Sequence, residues 1–243
     1  MLAAGLGSRL NSAEAGVPKP LLVVGGLPLI AHALAHARAG GCEEAIVVIG
    51  YEGQRVREAA EAAAGSLAVR FVETPDPTSP NGHSLLAAAP LAAPRFFLQM
   101  VDHLFAVPVL PLLGARRPFD DEAARLLVDR APVGLDLSDA TKVRLTGDYV
   151  IEIGKGVEPW DAIDTGCFVL TRGVFAALAD VPPSEPRTVS SAMRRLATRG
   201  ALRATDIGGV PWLDVDTPAD RADAERRLAA WAEAVPAGVA LRR

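Results

Sequence analysis

The chain has 243 residues, 50% of them hydrophobic and 22% charged, with 25 Lys plus Arg against 29 Asp plus Glu and a formal net charge of -4. That length supports one large domain with a substantial core, or two small ones. The slightly acidic balance excludes a general nucleic-acid binder and a protein that coats anionic membranes, although a local basic pocket remains open. The two cysteines, Cys42 and Cys167, stand apart with no CxxC. Their spacing argues against a zinc site or a disulfide framework, fits a reducing cytoplasm, and leaves both as small buried hydrophobes.

The chain opens on MLAAGLGSRL, where glycines and Arg9 interrupt the continuous apolar core that a secretory leader needs. Gly5 and Gly7 form a glycine-rich turn between a strand and a helix, whose amide N–H groups suit an anion. Leu10 stands where a dinucleotide fingerprint needs its third glycine, and no G-K-[ST] follows, so neither that fingerprint nor a Walker A loop is present. A lone GxG by itself reads as a structural turn. The VPKPLL that follows sets Lys19 between Pro18 and Pro20, which stiffen the backbone and reduce the entropy lost in holding the ammonium in place. His32 and His36 share a helix without a third ligand and are read as structural.

Further along, EEAIVVIG predicts a strand, QRVREAAEAAAG a helix stopped at Gly65, LAVRFVE a strand, and NGHSLLAAAPL a helix with Asn81 as N-cap. RFFLQMVD then predicts a strand that delivers Asp102 and His103 at its end. This alternation implies a parallel sheet covered on both faces. The apolar stretch FFLQMVDHLFAVPVLPLLGA is broken by Asp102, His103 and prolines, and makes a poor transmembrane span.

The second half predicts strands at ARLLVDR, at TKVRLTGDYVIEIGK (a hairpin turning at Gly147-Asp148) and at AIDTGCFVLT. Helices are expected at RGVFAALAD, TVSSAMRRLATRG and PADRADAERRLAAWAEAV. GGVPWLDVDTPAD places Asp214 and Asp216 after a second short apolar segment, with Asp216 also a candidate N-cap ahead of Pro218. No repeat or low-complexity linker divides the chain, and 5% aromatics offers no stacking platform for nucleic acid. A single domain over 1–243 is expected, in two halves at 1–105 and 106–243.

The pair LAAGLGSRL and PKPL resembles the signature of the nucleotidyltransferase superfamily, which couples a nucleoside triphosphate to a phosphorylated small molecule. MVDH, DATKV, IGK, DTG and WLDVDTP occur in the order found in the inositol-1-phosphate cytidylyltransferases of that superfamily. The resemblance implies a Rossmann-like three-layer α/β/α fold with a mixed, mostly parallel central sheet. Relatives place several apolar residues before the loop, whereas only Met1 and Leu2 precede Ala3-Ala4 here, so a very short first strand or a start further upstream is expected.

The resemblance further implies transfer of a cytidylyl group from CTP to inositol 1-phosphate, with Arg9 and Lys19 as catalytic residues. The nucleotide would rest on Leu2, Ala3, Ala4, Gly5, Gly7 and Ser8, and its base would meet Ser79, Asn81 and Gly82. Turn and cap chemistry is the alternative for these last three. Mg²⁺ or Mn²⁺ would be held by Asp102 and Asp216, with Asp214 a further candidate or simply a structural hydrogen-bonding group. The acceptor would contact His103, Lys142, Lys155, Asp164, Thr165 and Gly166. Phosphocholine and sugar 1-phosphates are rival acceptors, and a silent nucleotide-binding subunit is the rival of another class. Partners are CTP and a small phosphorylated alcohol, with no nucleic acid and no membrane insertion. A separate membrane phosphatidyltransferase and a homodimer are compatible with the resemblance.

Overall fold

The computed structural model describes residues 1–5, 17–115 and 121–234. In chain order it forms β1 (Leu2–Ala3), a 3-10 turn (Lys19–Leu21), β2 (Val23–Val24), β3 (Leu27–Pro28), α1 (Leu29–Ala39), β4 (Glu44–Ile49), α2 (Gly53–Ala63) and β5 (Ala68–Glu73). Next come α3 (Asn81–Ala87), β6 (Arg95–Gln99), β7 (His103–Phe105), α4 (Leu110–Gly114), β8 (Ala124–Asp129), β9 (Lys142–Thr146) and β10 (Tyr149–Gly154). The chain continues with β11 (Ala162–Thr171), α5 (Gly173–Ala179), α6 (Val189–Thr198), β12 (Leu202–Asp206), β13 (Trp212–Asp214) and α7 (Pro218–Ala234).

The amino-terminal sheet of β1, β4 and β5 is parallel, and the short β2 and β3 pair antiparallel apart from it. β4 pairs with β1 on one side and β5 on the other. Leu2 also bridges in parallel to Met100, just past β6, and so joins this block to the rest of the sheet. β6 then pairs antiparallel with β11, β11 antiparallel with β8, and β8 parallel with β12. The β9–β10 hairpin closes the far edge, β10 against β12.

Strand periodicity sends alternate side chains to opposite faces, which explains the two main cores. Leu126, Val128, Phe168 and Leu170 face α3, α5 and α6, whereas Val47, Ile49, Cys167 and Val169 face α1, α2 and α4. Helices thus cover both faces, giving three layers. A third, small cluster of Leu22, Val24, Leu29, Leu104, Leu213, Val215 and Ala224 packs α7 against the β7–β13 ladder and the 3-10 turn.

The expected strands and helices of both halves are present, with three local corrections. The strand expected over 95–102 ends at Gln99, because the chain turns at Val101 and Asp102 before β7. Asn81 is the first residue of α3 rather than its N-cap, and its side-chain oxygen accepts the Val189 N–H at 2.9 Å, satisfying the start of α6 instead. Asp216 does not cap α7 either. Thr217 and Asp220 do so reciprocally, with Thr217 N–H donating to Asp220 at 2.7 Å and Asp220 N–H to Thr217 Oγ1 at 3.2 Å.

Gly82 sits where α3 meets the segment entering α6, and a Cβ there would lie 2.3 Å from the Arg187 carbonyl oxygen and 2.8 Å from Leu178. Backbone cannot yield as a side-chain tip can. Gly82→Ala is therefore expected to lower Tm by about 2–12 °C, the fall for an overpacked core in a chain of this size. Differential scanning calorimetry checks this, and an unchanged Tm would show that α3 shifts freely.

Candidate active site

The 3-10 turn at Lys19 forms because Pro18 and Pro20 restrict the backbone on both sides, with Leu21 N–H donating to the Pro18 carbonyl at 2.8 Å. From this turn the Lys19 ammonium donates to one oxygen of Asp102 and one oxygen of Asp216. Asp102 lies between β6 and β7, and Asp216 between β13 and α7. The β7–β13 ladder pairs His103 with Asp214, and Val215 N–H donates to the Asp102 carbonyl at 3.0 Å, which carries the two carboxylates to the same end of the ladder.

All three side chains are largely shielded, at 13%, 15% and 25% exposure for Lys19, Asp102 and Asp216. Burial alone would push Lys19 down, but Asp102 and then Asp216 outweigh it and hold the ammonium above its usual pKa. Burial would likewise raise Asp102, yet Lys19 and His103 outweigh it and keep the carboxyl well below the ordinary range.

His103 extends the cluster. Its Nδ1 lies 2.7 Å from the second oxygen of Asp102, and its ring stacks on Trp212 with centroids 5.8 Å apart. The Trp212 indole N–H donates to Asp129 at 2.8 Å, which anchors the stack. Burial would lower the pKa of His103, but Asp102 foremost, with Asp214 and Asp164, raises it. The imidazole lies over Gly166 (φ +73°), where a Cβ would come within 2.6 Å of Nε2, so only glycine admits the ring. Gly166 belongs to a bulge in β11, where Asp164 pairs with Val128 but Phe168 already pairs with Leu126. Gly166 N–H donates to Asp164 at 2.7 Å, and burial pushes the Asp164 carboxyl up to about 6 despite that bond and despite His103.

A cavity of about 630 Å³ opens on this cluster, walled by Lys19, Asp102, His103, Asp164, Gly166, Asp214 and Asp216. A smaller one of about 200 Å³ lies beside it, walled by Leu2, Ala3, Ala4, Gly5, Ser79 and Pro77. Lys19, Asn81, Met100 and Asp102 border both. Most of the expected site residues therefore come together. Lys155 reaches the larger cavity, paired with Asp139. Three expected positions are absent from the walls of both cavities. Lys142 pairs with Glu158 at 2.6 Å. Thr165 is buried with its hydroxyl donating to the Leu127 carbonyl at 2.8 Å. Gly82 is packed against Arg187. Gly7, Ser8 and Arg9 lie outside the described residues.

Sequence reasoning missed several wall residues, among them Trp212, Asp136 and Asp220. Asp136 carries a local signal, since its carboxylate accepts the Ser138 N–H at 2.8 Å in a DLS turn. Among the described residues no group of three or more His, Cys, Asp or Glu is arranged to cage a metal. The Asp102 and Asp216 oxygens nevertheless converge on one ammonium. Two carboxylates meeting at one cationic position fit Mg²⁺, which takes one or two carboxylates and completes its shell with phosphate and water.

This arrangement, acidic ladder ends and a lysine at the mouth of a parallel half-sheet, sits in the α/β fold of nucleotide-diphospho-sugar transferases. The inositol-1-phosphate CTP transferase from T. maritima superposes with a TM-score of 0.84 at 24% identity, over 96% of this chain and 95% of that one. Residues 1–132 match the MobA-like NTP transferase domain, and the chain belongs to that family. A protein described as a bifunctional IPC transferase and DIPP synthase from Rubrobacter xylanophilus is 40% identical over 234 residues, covering 96% of this chain and 52% of that protein. One of the same description from Thermococcus kodakarensis is 31% identical, over 94% of this chain and 50% of that protein. The chain thus spans about half the length of these curated relatives. No helix among the described residues is long and apolar enough to cross a membrane.

The raised Asp164 has a consequence for stability. Its folded-state pKa of about 6 exceeds the unfolded value, so the folded chain holds this proton more tightly. The contribution is fully present below the unfolded value of about 3.9 and is lost as pH rises through the folded one. Asp164→Asn should therefore gain stability relative to wild type between about pH 4 and 6, with a constant difference above. Urea midpoints measured at half-unit pH steps check this, and a difference that is flat across the window would remove the buried-carboxyl account.

Proposed function

We propose that this chain transfers a cytidylyl group from CTP to inositol 1-phosphate, releasing CDP-inositol and pyrophosphate. The observation that carries the reading is the convergence of Asp102, Asp216 and Lys19 on the border of two cavities. A charge-neutralising centre then lies between a nucleotide pocket and an acceptor pocket. The name of the structural neighbour from T. maritima, an inositol-1-phosphate CTP transferase, suggests CTP and inositol phosphate, and the IPC transferase relatives match along nearly the whole chain.

In this reading the smaller cavity takes the nucleotide on the backbone of Leu2, Ala3, Ala4 and Gly5, with Ser79 and Asn81 toward the base. The larger cavity takes the acceptor. An oxygen of its phosphate attacks the α-phosphorus in line, the bond from that phosphorus to the bridging oxygen breaks, and pyrophosphate leaves with the electron pair. The attacking oxygen is already ionised at neutral pH, so no general base is needed, and positioning with charge stabilisation supplies the catalysis. Asp102 and Asp216 would hold Mg²⁺ or Mn²⁺, which when bound neutralises triphosphate charge. Lys19 donates to α-phosphate oxygens, and Arg9 takes the leaving pyrophosphate. Asp164 accepts hydrogen bonds from ring hydroxyls.

A phosphocholine acceptor fits less well. A quaternary ammonium favours an aromatic cage, but Tyr149 is stacked under the Arg203 guanidinium at 3.6 Å and Trp160 packs at the edge of a core. Trp212 alone of these rings borders the acceptor cavity.

Two measurements test the reading. Pyrophosphate release, assayed with four nucleoside triphosphates crossed with inositol 1-phosphate, phosphocholine and glucose 1-phosphate, should be fastest for CTP with inositol 1-phosphate. Asp102→Asn and Asp216→Asn should each lower kcat by at least about 10²-fold, the scale for losing one preorganised electrostatic group, and Asp164→Ala should lower kcat/KM selectively for acceptors with ring hydroxyls. A preference for phosphocholine, or full activity in both Asn variants, would overturn it.

A further inference from the structure

Lys19 holds the position at which the two carboxylates would meet a metal ion. Its ammonium bonds both Asp102 and Asp216, and the other Asp102 oxygen is taken by His103. Both carboxylates are thus partnered from within the chain. The backbone of Lys19 is fixed by its flanking prolines, but its four-carbon stem is not, and the residue borders both cavities. From one fixed backbone position the ammonium has two destinations: the carboxylates in the free protein, or a phosphate group in the smaller cavity.

Resting on the function proposed above, we infer that Lys19 is a resident counter-ion that the nucleotide draws away, so that metal and triphosphate bind cooperatively. A divalent cation arriving alone must break two charge-assisted bonds and leave a largely shielded ammonium without an acceptor, which opposes binding. A triphosphate removes that penalty by giving the ammonium phosphate oxygens. Coupling of this kind is reciprocal, so the cation strengthens nucleotide binding by the same factor. Free cation at cellular levels then leaves the site closed, and the pair enters together.

The test measures Mn²⁺ binding by electron paramagnetic resonance on the full chain, in wild type, Lys19→Met and Lys19→Gln. Each is measured alone and with a CTP analogue whose α–β bridge is a methylene. Without nucleotide, both variants should bind Mn²⁺ at least about tenfold more tightly than wild type, within the usual range of such couplings. Mn²⁺ alone should also raise Tm more in the variants, where two close carboxylates lack their ammonium. With the analogue, wild-type affinity should rise by a similar factor while that of the variants rises less. Equal Mn²⁺ affinity in wild type and both variants without nucleotide would overturn the inference and leave the proposed reaction standing. No Mn²⁺ binding in any protein under either condition would overturn both. Two substitutions of different polarity guard against a variant that folds poorly, and circular dichroism of each confirms the fold.

Discussion

The contact on which the site depends is one ammonium shared by two carboxylates that are 83 and 197 residues distant from it in sequence. Such a cluster contributes little net stability, because desolvation offsets most of the attraction. Its position is fixed by something cheaper. Leu22 follows the Lys19 turn, Leu104 lies in β7, Leu213 in β13, and Val215 immediately precedes Asp216. These four pack together with Ala224 of α7, so a small apolar cluster sets the distances between the charges. The ordinary hydrophobic effect assembles the geometry, and the electrostatics then decide what that geometry can bind.

The wall of the larger cavity depends on a different constraint, the bulge in β11. A regular strand would keep the ladder with β8 in step from Asp164 to Phe168, whereas the register slips there and Gly166 turns with a positive φ. That slip lets the His103 ring lie flat over the glycine and sends the Asp164 carboxylate to the cavity wall. Thr165, the residue between them, points the opposite way and is consumed by the Leu127 carbonyl. In DTG the outer two residues therefore face the cavity and the middle one serves the core.

Much of this was legible in the sequence because it is encoded locally. β-branched runs mark β4 and β5, the turn at Gly147 marks the β9–β10 hairpin, and the Ala-rich run that stops at Gly65 marks α2. Asp102 and Asp216 were legible from their place after short apolar segments. What escaped was set by tertiary contacts. β12 has Arg203 inside it and offers no apolar run, yet Leu202 and Ala204 are buried beside β8. The role of Asn81 depended on Val189, 108 residues away, and no local pattern announces such a partner. Lys142 and Lys155 look alike in sequence, and only the folding of the β9–β10 hairpin separates the one on the cavity from the one paired off it.

The electrostatic layout of the larger cavity gives the proposed reaction its direction. Its wall carries Lys19 beside Asp102 and Asp216, and Asp214, close enough to both carboxylates for them to raise its pKa, belongs to the same acidic cluster. Asp164 adds a further carboxyl to that wall, and burial is the chief cause of the raised values of Asp164 and Asp214. Lys155 adds little fixed positive charge there, since its pair with Asp139 is about half exposed on both sides and water screens it. In the proposed reaction a phosphate entering so acidic a cavity would be accommodated at Lys19, which borders the smaller cavity, where a cation held by Asp102 and Asp216 would offset the carboxylates. A ring bearing hydroxyls would suit the Asp164 carboxyl, which accepts the Gly166 N–H and has a further oxygen to offer. In the proposed reaction the acceptor would thus enter phosphate-first, toward the nucleotide. This is the orientation that in-line attack requires, and it is reached without any residue having to move the nucleophile once it is bound.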